Sequence, residues 1–490
     1  MARLLVPAEQ SRKRRRVNGN GQPRRKVLIY GDFMPTGFGR ICRAMGAHLN
    51  NLYDVVGACV QYDGILPLQP APMPFHVCAL NGRDMGQGPA GLAMVIANVV
   101  GAFRPDVLIS VQDFPYHEAL HAAPIDWSVM AHIVITPVDG EPIAENWLDL
   151  VPKLDGFMTI SAFGVEAFKK RGVTAELCPP GVDAAEFNRL DDPTRAALRE
   201  QMSIPRDAFI VGAMAMNQGR KDFPSMVRGF AEAFRDVPNT YLYLDCEAAS
   251  PAGWDMPRTL IKWNNLEPER VKFRGDAFNA GLNTLNERFN LLDLHMVLAH
   301  REGYGLPHGE AMATGCPTMA IDYCSGREII GDNERGWLIP AAPAHPGGFG
   351  TWGGARDYWP DMKALEAALR EAYEKPHERS ARGMRGMEWV KTARTWGRTN
   401  EAVQDLVERV IVKRKDDLAR KYQMPVPPMP PMQQIIPAGV NGGQPLAFHV
   451  NAPIQVYANN PQDVAQGIAA AVGKQAERVP LVEGQGDESV

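Results

Sequence analysis

Between residues 26 and 340, short runs of consecutive apolar residues recur. Each is closed by glycine, proline or a polar turn, and most are followed by apolar positions at helical spacing. The first series is Lys26–Tyr30 (KVLIY, ending at Gly31), Val55–Val60, Asp106–Val111 (DVLISV), His132–Thr136 (HIVIT) and Gly156–Ile160 (GFMTI). Runs apolar on both faces predict strands of a parallel sheet covered on both sides. Helices are predicted over Ile41–Leu49 and Gly91–Phe103, and from a Ser161 cap through Lys170. Pro179-Pro-Gly-Val-Asp183 reads as a linker. A second series follows it, with strands at Phe209–Met214, Thr240–Leu244, Val271–Phe273, Leu294–Leu298 and Thr318–Ile321. Helices are predicted at Phe223–Phe234, Leu282–Leu291, Glu310–Thr314 (stopped by Gly315 and Pro317), about 362–373 and about 395–415. This alternation predicts two doubly wound α/β domains, 26–180 and 181–394, with a long helix at 395–418 returning to the first.

Composition and charge add the flanks. With 45% hydrophobic and 22% charged residues in 490, the chain can fill the cores of two or three domains. Residues 1–25 read as a disordered basic arm. Nine Lys/Arg face one acid in residues 1–26, so the rest of a chain of net charge −4 carries about −12. Such an arm is either a solvated tail or a contact for a polyanion through residues 12–26. Residues 419–490 read as a proline-rich linker (Met424–Met432, MPVPPMPPM) with a small tail element. Seven scattered Cys without a C-x-x-C fit reduced thiols and a cytoplasmic location. No transmembrane segment is expected, since the longest apolar stretch, Gly91–Phe103, is shorter than the ~20 residues a spanning helix needs.

The informative stretch is Leu298–Pro340, where Glu302 and Glu310 stand eight positions apart with Gly303, Gly305 and Pro307 between them. Glycines permit a tight turn, and the helix that follows would aim free backbone N–H groups at an anion such as a diphosphate. Flanking carboxylates could accept hydrogen bonds from sugar hydroxyls. Earlier, Thr36-Gly37-Phe38-Gly39-Arg40 forms a glycine-rich turn after the first strand, able to close over phosphates with Arg40 adding charge. It lacks the third glycine of the dinucleotide fingerprint.

Glu302-Gly-Tyr-Gly-Leu-Pro-x-x-Glu310-Ala-Met-Ala-x-Gly-Cys-Pro resembles the E-x7-E signature of retaining GT-B glycosyltransferases of the family-four type. Pro180-Gly-Val-Asp183 with Phe187, Arg220-Lys221-Asp222-Phe223, Phe289-Asn290 with Asp293, and Ser325-Gly326 with Glu328-Ile329-Ile330 are similar to further segments of that family, over about residues 26–415. The resemblance implies a GT-B fold, two Rossmann-like α/β/α domains facing across a cleft. It implies a sugar moved from a UDP- or GDP-linked donor to an acceptor hydroxyl with retention of configuration, the nucleotide-sugar being a co-substrate and no cofactor being needed. Glu310 would hold the ribose hydroxyls and Glu302 would face the donor sugar. Arg220 and Lys221, with backbone around Gly303, Tyr304, Gly305 and Leu306 and the Gly37, Gly39 and Arg40 loop, would grip the diphosphate. The hinge would be the linker near 180 together with the last helix.

The chain departs from that pattern in two places. Ala213–Asn217 carries no Arg, and where relatives have a His this chain reads Thr136-Pro-Val-Asp139. Asp139 becomes the second catalytic candidate, with Asp113, His117 and His121 as reserves. His300 and His308 flank the signature, His308 as a possible neighbour of the phosphates. No D-x-D and no H-E-x-x-H occurs, so no metal site is expected. The acceptor stays open among a glycan, a lipid carrier and a nucleic acid such as a modified DNA base. A catalytically degenerate GT-B fold serving as a binding or assembly module is the alternative.

Overall fold

The computed structural model describes residues 23–60, 62, 72–80, 88–343 and 355–423, with side chains described up to residue 414. Residues 1–22 and 424–490, and with them most of the basic arm and the proline-rich tail, lie outside the described residues. The first sheet contains β1 (Lys26–Gly31), β2 (Asp54–Cys59), β3 (His76–Ala79), β4 (Val107–Val111), β5 (Ala131–Thr136), β6 (Gly156–Thr159) and β7 (Glu176–Leu177). The second contains β8 (Phe209–Met214), β9 (Thr240–Asp245), β10 (Val271–Phe273), β11 (Leu294–Met296), β12 (Thr318–Ile321) and β13 (Gly336–Ile339).

Both sheets are parallel and share one winding. The first runs β3-β2-β1-β4-β5-β6-β7 and the second β10-β9-β8-β11-β12-β13. The strand order therefore reverses between β1 and β4, and again between β8 and β11. In open α/β sheets, ligands bind outside the carboxyl ends of the strands at such switch points. The loops that matter are those leaving β1, β4, β8 and β11.

Each strand carries β-branched and aliphatic residues toward helices on both faces. Val27, Ile29, Val107 and Ile109 pack one way, Leu28, Tyr30 and Leu108 the other, all fully buried. The last helix, Trp396–Gln423, extends five residues past its expected end. It lays Val403, Leu406, Val407 and Val410 on the first sheet, and Gly156 admits Leu406 because a Cβ there would stand 3.0 Å from it. The chain thus crosses back to the first domain, near the linker where the Val182 N–H donates to the Arg394 carbonyl.

Arg24 and Arg25, read as part of the arm, are tied into the fold, as is Lys26 at the start of β1. Arg25 pairs with Asp106 at 2.6 Å, Arg24 donates to the Asn50 carbonyl, and Lys26 Nζ donates to the Phe103 carbonyl. They lead into β1, an interior strand of the first sheet.

Candidate functional site

The loop after β1 is built on Asp32. Its carboxylate is 3% exposed and accepts from the Met34 N–H at 2.8 Å and from the Thr36 hydroxyl. Thr36 Oγ1 in turn accepts from the Gly39 N–H at 3.0 Å and caps the helix Gly37–Leu49. Gly37, Gly39 and Arg40, expected in a free turn, therefore lie in the first turn of that helix, which starts four residues earlier than its apolar spacing suggests. Glycine is required at 39, where a Cβ would stand 1.8 Å from the Met34 carbonyl oxygen. Gly39→Ala is expected to lower Tm, as seen by differential scanning fluorimetry. An unchanged Tm would mean that the loop shifts freely. Arg40 leaves this helix to pair with Glu310 of the second domain, its guanidinium 5.3 Å over the Phe187 ring.

The loop after β8 is anchored by Asn217, which holds the Trp254 N–H and the Glu247 and Trp254 carbonyls. One 3-10 turn, Gly219–Lys221, then carries the basic pair. Asp222 adopts φ 51° and caps the helix Phe223–Phe234 through the Ser225 N–H. This reversal turns Lys221 inward, where it is 8% exposed and pairs with Glu302. Arg220 Nη1 lies 3.5 Å from Glu302 Oε2 and donates to the Arg301 carbonyl at 3.1 Å. Burial opposes ionisation of Glu302, but Lys221 and Arg220 outweigh it and hold the carboxyl at about 2. Burial lowers Lys221 from its ordinary value against the pull of Glu302.

The loop after β11 brings Gly303 against Pro137 of the first domain, where a Cβ would meet Pro137 Cβ at 2.6 Å. Gly305, at φ 85°, starts the helix Leu306–Ala313, so Glu310 stands in its second turn rather than at a helix start. Leu306 faces Gly37 across the interface at 3.6 Å from its ideal Cβ position. Asp139 accepts from Arg301 Nη1 at 3.2 Å, and Arg301 also pairs with Asp357 at 2.5 Å.

Residues 277–345 match the family described as glycosyl transferases group 1. The match includes both acids of the site and the loop between them. D-inositol 3-phosphate glycosyltransferase of Kineococcus radiotolerans is 27% identical over 244 residues, 48% of this chain and 52% of that protein. Mannosylfructose-phosphate synthase of Agrobacterium fabrum is 29% identical over 150 residues, 29% of this chain and 31% of that one. The chain thus spans about half or less of the curated relatives it matches. The fold is GT-B. Sucrose-phosphate synthase from Thermosynechococcus elongatus superposes with a TM-score of 0.59 at 16% identity, covering 80% of this chain and all of that one. Anabaena HepE in complex with UDP and glucose gives 0.58 at 15%, covering 79% and 100%.

The structure pairs Glu302 with Lys221 and Arg220, and Glu310 with Arg40, rather than leaving these acids open; of the five residues only the two acids lie in the group 1 segment. Other candidates stand apart. Tyr304 is 4% exposed, packs into the core of the first domain and carries Arg394 at 5.5 Å over its ring; it braces the loop from behind. His308 turns into the fold, its Nδ1 2.5 Å from Thr318 Oγ1, and burial lowers it to about 4. His117 is fully buried beneath the first sheet, and His121 stacks on Trp127. Asn290 and Asp293 hold backbone at Leu190 and Ile210. Among the described residues, no group of three His, Cys, Asp or Glu side chains converges as a metal site, and no helix is long and apolar enough to cross a membrane.

Three contributors have roles that sequence reasoning did not assign, although Glu328 stands in a segment similar to the family. Asp32 braces the first loop, and Arg301 fixes Asp139. Glu328 accepts from the Ala162 N–H at 2.7 Å and pairs with Arg394 at 2.5 Å, tying the first domain to the crossing segment. Only the strand-end position of Asp32 signals it in the sequence; the other two depend on partners more than 60 positions away.

Asp113 is solvent-accessible yet enclosed by protein on most sides. Burial, then Asp139, raises its carboxyl to about 6, with Arg220 pulling the other way. The ionised form is disfavoured in the fold, so it costs stability above pH 6 and nothing below the unfolded value of about 3.9. Asp113→Asn is expected to raise Tm at pH 7.5, with the gain vanishing by pH 4. A gain of equal size at both pH values would contradict this assignment.

Proposed function

We propose that this chain is a group 1 glycosyltransferase that moves a sugar from a nucleotide-sugar donor to an acceptor hydroxyl with retention of configuration. The observation that carries this reading is the meeting of Arg40, Arg220 and Lys221 with Glu302 and Glu310 where the switch-point loops of two domains abut. The leaving group is a nucleoside diphosphate, whose departure builds negative charge on phosphate oxygens. Side-chain cations and the first N–H groups of the helix Leu306–Ala313 meet that charge, stabilising it most in the transition state. Glu302 neutralises Lys221. A donor diphosphate takes its place, and Glu302 is left facing the sugar. Glu310 exchanges Arg40 for the ribose hydroxyls, which frees Arg40 for phosphate. Closure of the domains over the donor keeps water from the anomeric carbon.

The test is a thermal-shift series with UDP and GDP, followed by nucleotide release from a panel of UDP- and GDP-sugars. Nucleotide at about 100 Kd adds ~2.7 kcal/mol of stability, so a rise of several degrees is expected for one base. Slow release of nucleotide from one sugar donor then identifies it. No shift with either base and no release from any donor would replace this reading with that of a binding module.

A further inference from the structure

An antiparallel pair, β14 (Ala341–Pro343) and β15 (Tyr358–Pro360), stands apart from both parallel sheets. β15 runs beside the peptide that leads into Glu302. The Tyr358 N–H donates to the His300 carbonyl at 3.1 Å, and the Trp359 and His300 ring centres are 3.8 Å apart. The same peptide is tied to the basic pair. The His300 N–H donates to the Arg220 carbonyl at 2.8 Å, and the Arg301 carbonyl accepts from Arg220 Nη1 at 3.1 Å. The approach to Glu302 is thus held between Arg220 and an element outside the two parallel sheets.

The residues just before β15 reach the first domain in the loop after β5. The Arg356 N–H donates to the Glu141 carbonyl at 2.9 Å, and a Cβ on Gly140 would stand 2.8 Å from Ala355 Cβ, so glycine permits this approach. Also from the second domain, the Tyr323 hydroxyl accepts from the Glu141 N–H at 2.9 Å, and the Cys324 thiol donates to the Asp139 carbonyl at 3.0 Å. The main chain of 139–141 is therefore fixed. The Asp139 carboxylate is held by one oxygen only. Arg301 Nη1 meets its Oδ2 at 3.2 Å, and among the described residues its Oδ1 accepts no hydrogen bond. Arg301 Nε is taken by Asp357 Oδ1 at 2.5 Å. Arg301 and Asp357 are nearly enclosed, at 13% and 11% exposure, whereas the Asp139 side chain is 37% exposed.

We propose, on the transferase reading above, that Asp357 is a positioning residue for sugar transfer: it holds Arg301 so that one nitrogen meets one oxygen of Asp139, and the other oxygen stays free for a substrate hydroxyl. A guanidinium is a planar fork that grips a carboxylate by both oxygens when its nitrogens are free to turn. With Nε fixed by Asp357, the fork cannot swing onto Asp139, and its charge is shared between two acids. An ionised carboxylate oxygen without a partner accepts from a hydroxyl. Because Arg301 and Asp357 belong to the second domain and Asp139 to the first, this orientation exists only where the two domains meet.

The test measures nucleotide release from the panel of UDP- and GDP-sugars by the full-length wild type, Asp357→Asn, Asp139→Asn and the double variant. Asp357→Asn is expected to lower kcat about tenfold, with KM for the donor within about twofold and the nucleotide thermal shift unchanged. Since Asp357 acts through Arg301 on Asp139, adding it to Asp139→Asn should cost less than about twofold more, whereas independent losses multiply. Arg301→Lys keeps the charge but cannot serve both carboxylates. The same kcat loss and the same non-additivity are expected of it, so the test stands if Asp357→Asn does not fold. Wild-type kcat in Asp357→Asn or in Asp139→Asn, a loss confined to KM, or a double variant whose loss is the product of the single losses overturns the proposal. A wild type that releases no nucleotide from any donor sinks the transferase reading itself, and the role of Asp357 with it.

Discussion

Replacing Glu310 with alanine is expected to cut sugar transfer at least ~10–100-fold while the protein stays folded. The side chain is 5% exposed and, among the described residues, meets a single cation, Arg40, which arrives from the other domain. Removing the carboxylate takes away a hydroxyl acceptor for the nucleotide and also releases Arg40. The two effects separate by comparison with Arg40→Met. If Glu310 works only as the partner of Arg40, both variants and their combination lose the same amount. If Glu310 holds the ribose, Glu310→Ala loses nucleotide affinity that Arg40→Met retains. Nucleotide Kd by titration and kcat/KM by nucleotide release decide between them, and a wild-type rate in Glu310→Ala would remove this residue from the site.

Lys221→Met should have a still larger structural effect. It leaves Glu302 ionised in a buried setting with only Arg220 beside it at 3.5 Å. Removing one partner of a buried pair costs about 3–5 kcal/mol, and the remaining Arg220 places the loss near the low end. Urea unfolding measures it. The double variant Lys221→Met with Glu302→Gln should recover most of the stability, because no bare charge remains, and none of the transfer activity. Full stability and full activity in the single variant would show that the pair is neither structural nor functional. The acid limb follows from the same pair. Glu302 contributes stability fully above the unfolded value of about 4.3, and loses it as pH falls through about 2.

The parallel sheets were legible because each strand is a run of apolar residues, and a strand buried on both faces can be little else. Phe209–Met214 and Phe223–Phe234 appear with the bounds the pattern predicts, and Ser161 accepts from the Gly164 N–H as its capping role requires. The helix Pro376–Ala393 was not legible. Its buried stripe is made of Gly383, Gly386 and Val390, since a Cβ at 383 would stand 2.1 Å from the Gly315 carbonyl and one at 386 would meet Met312 at 2.9 Å. Close helix packing thus removes the apolar signal by which a helix is read. The helix Asp192–Gln201 escaped for a related reason, because most of its residues stay in water.

For the proposed site, local sequence determined the chemical types: acids at 302 and 310, cations at 40, 220 and 221, and glycines where turns or a close approach demand them. It also determined which strand ends carry them, since a strand and its following loop are neighbours in the chain. Which acid meets which cation was decided only by tertiary structure. Lys221 and Glu302 are 81 positions apart and Arg40 and Glu310 are 270 apart; the coupling of such charges depends on distance and burial, which two docked domains create and no local pattern encodes.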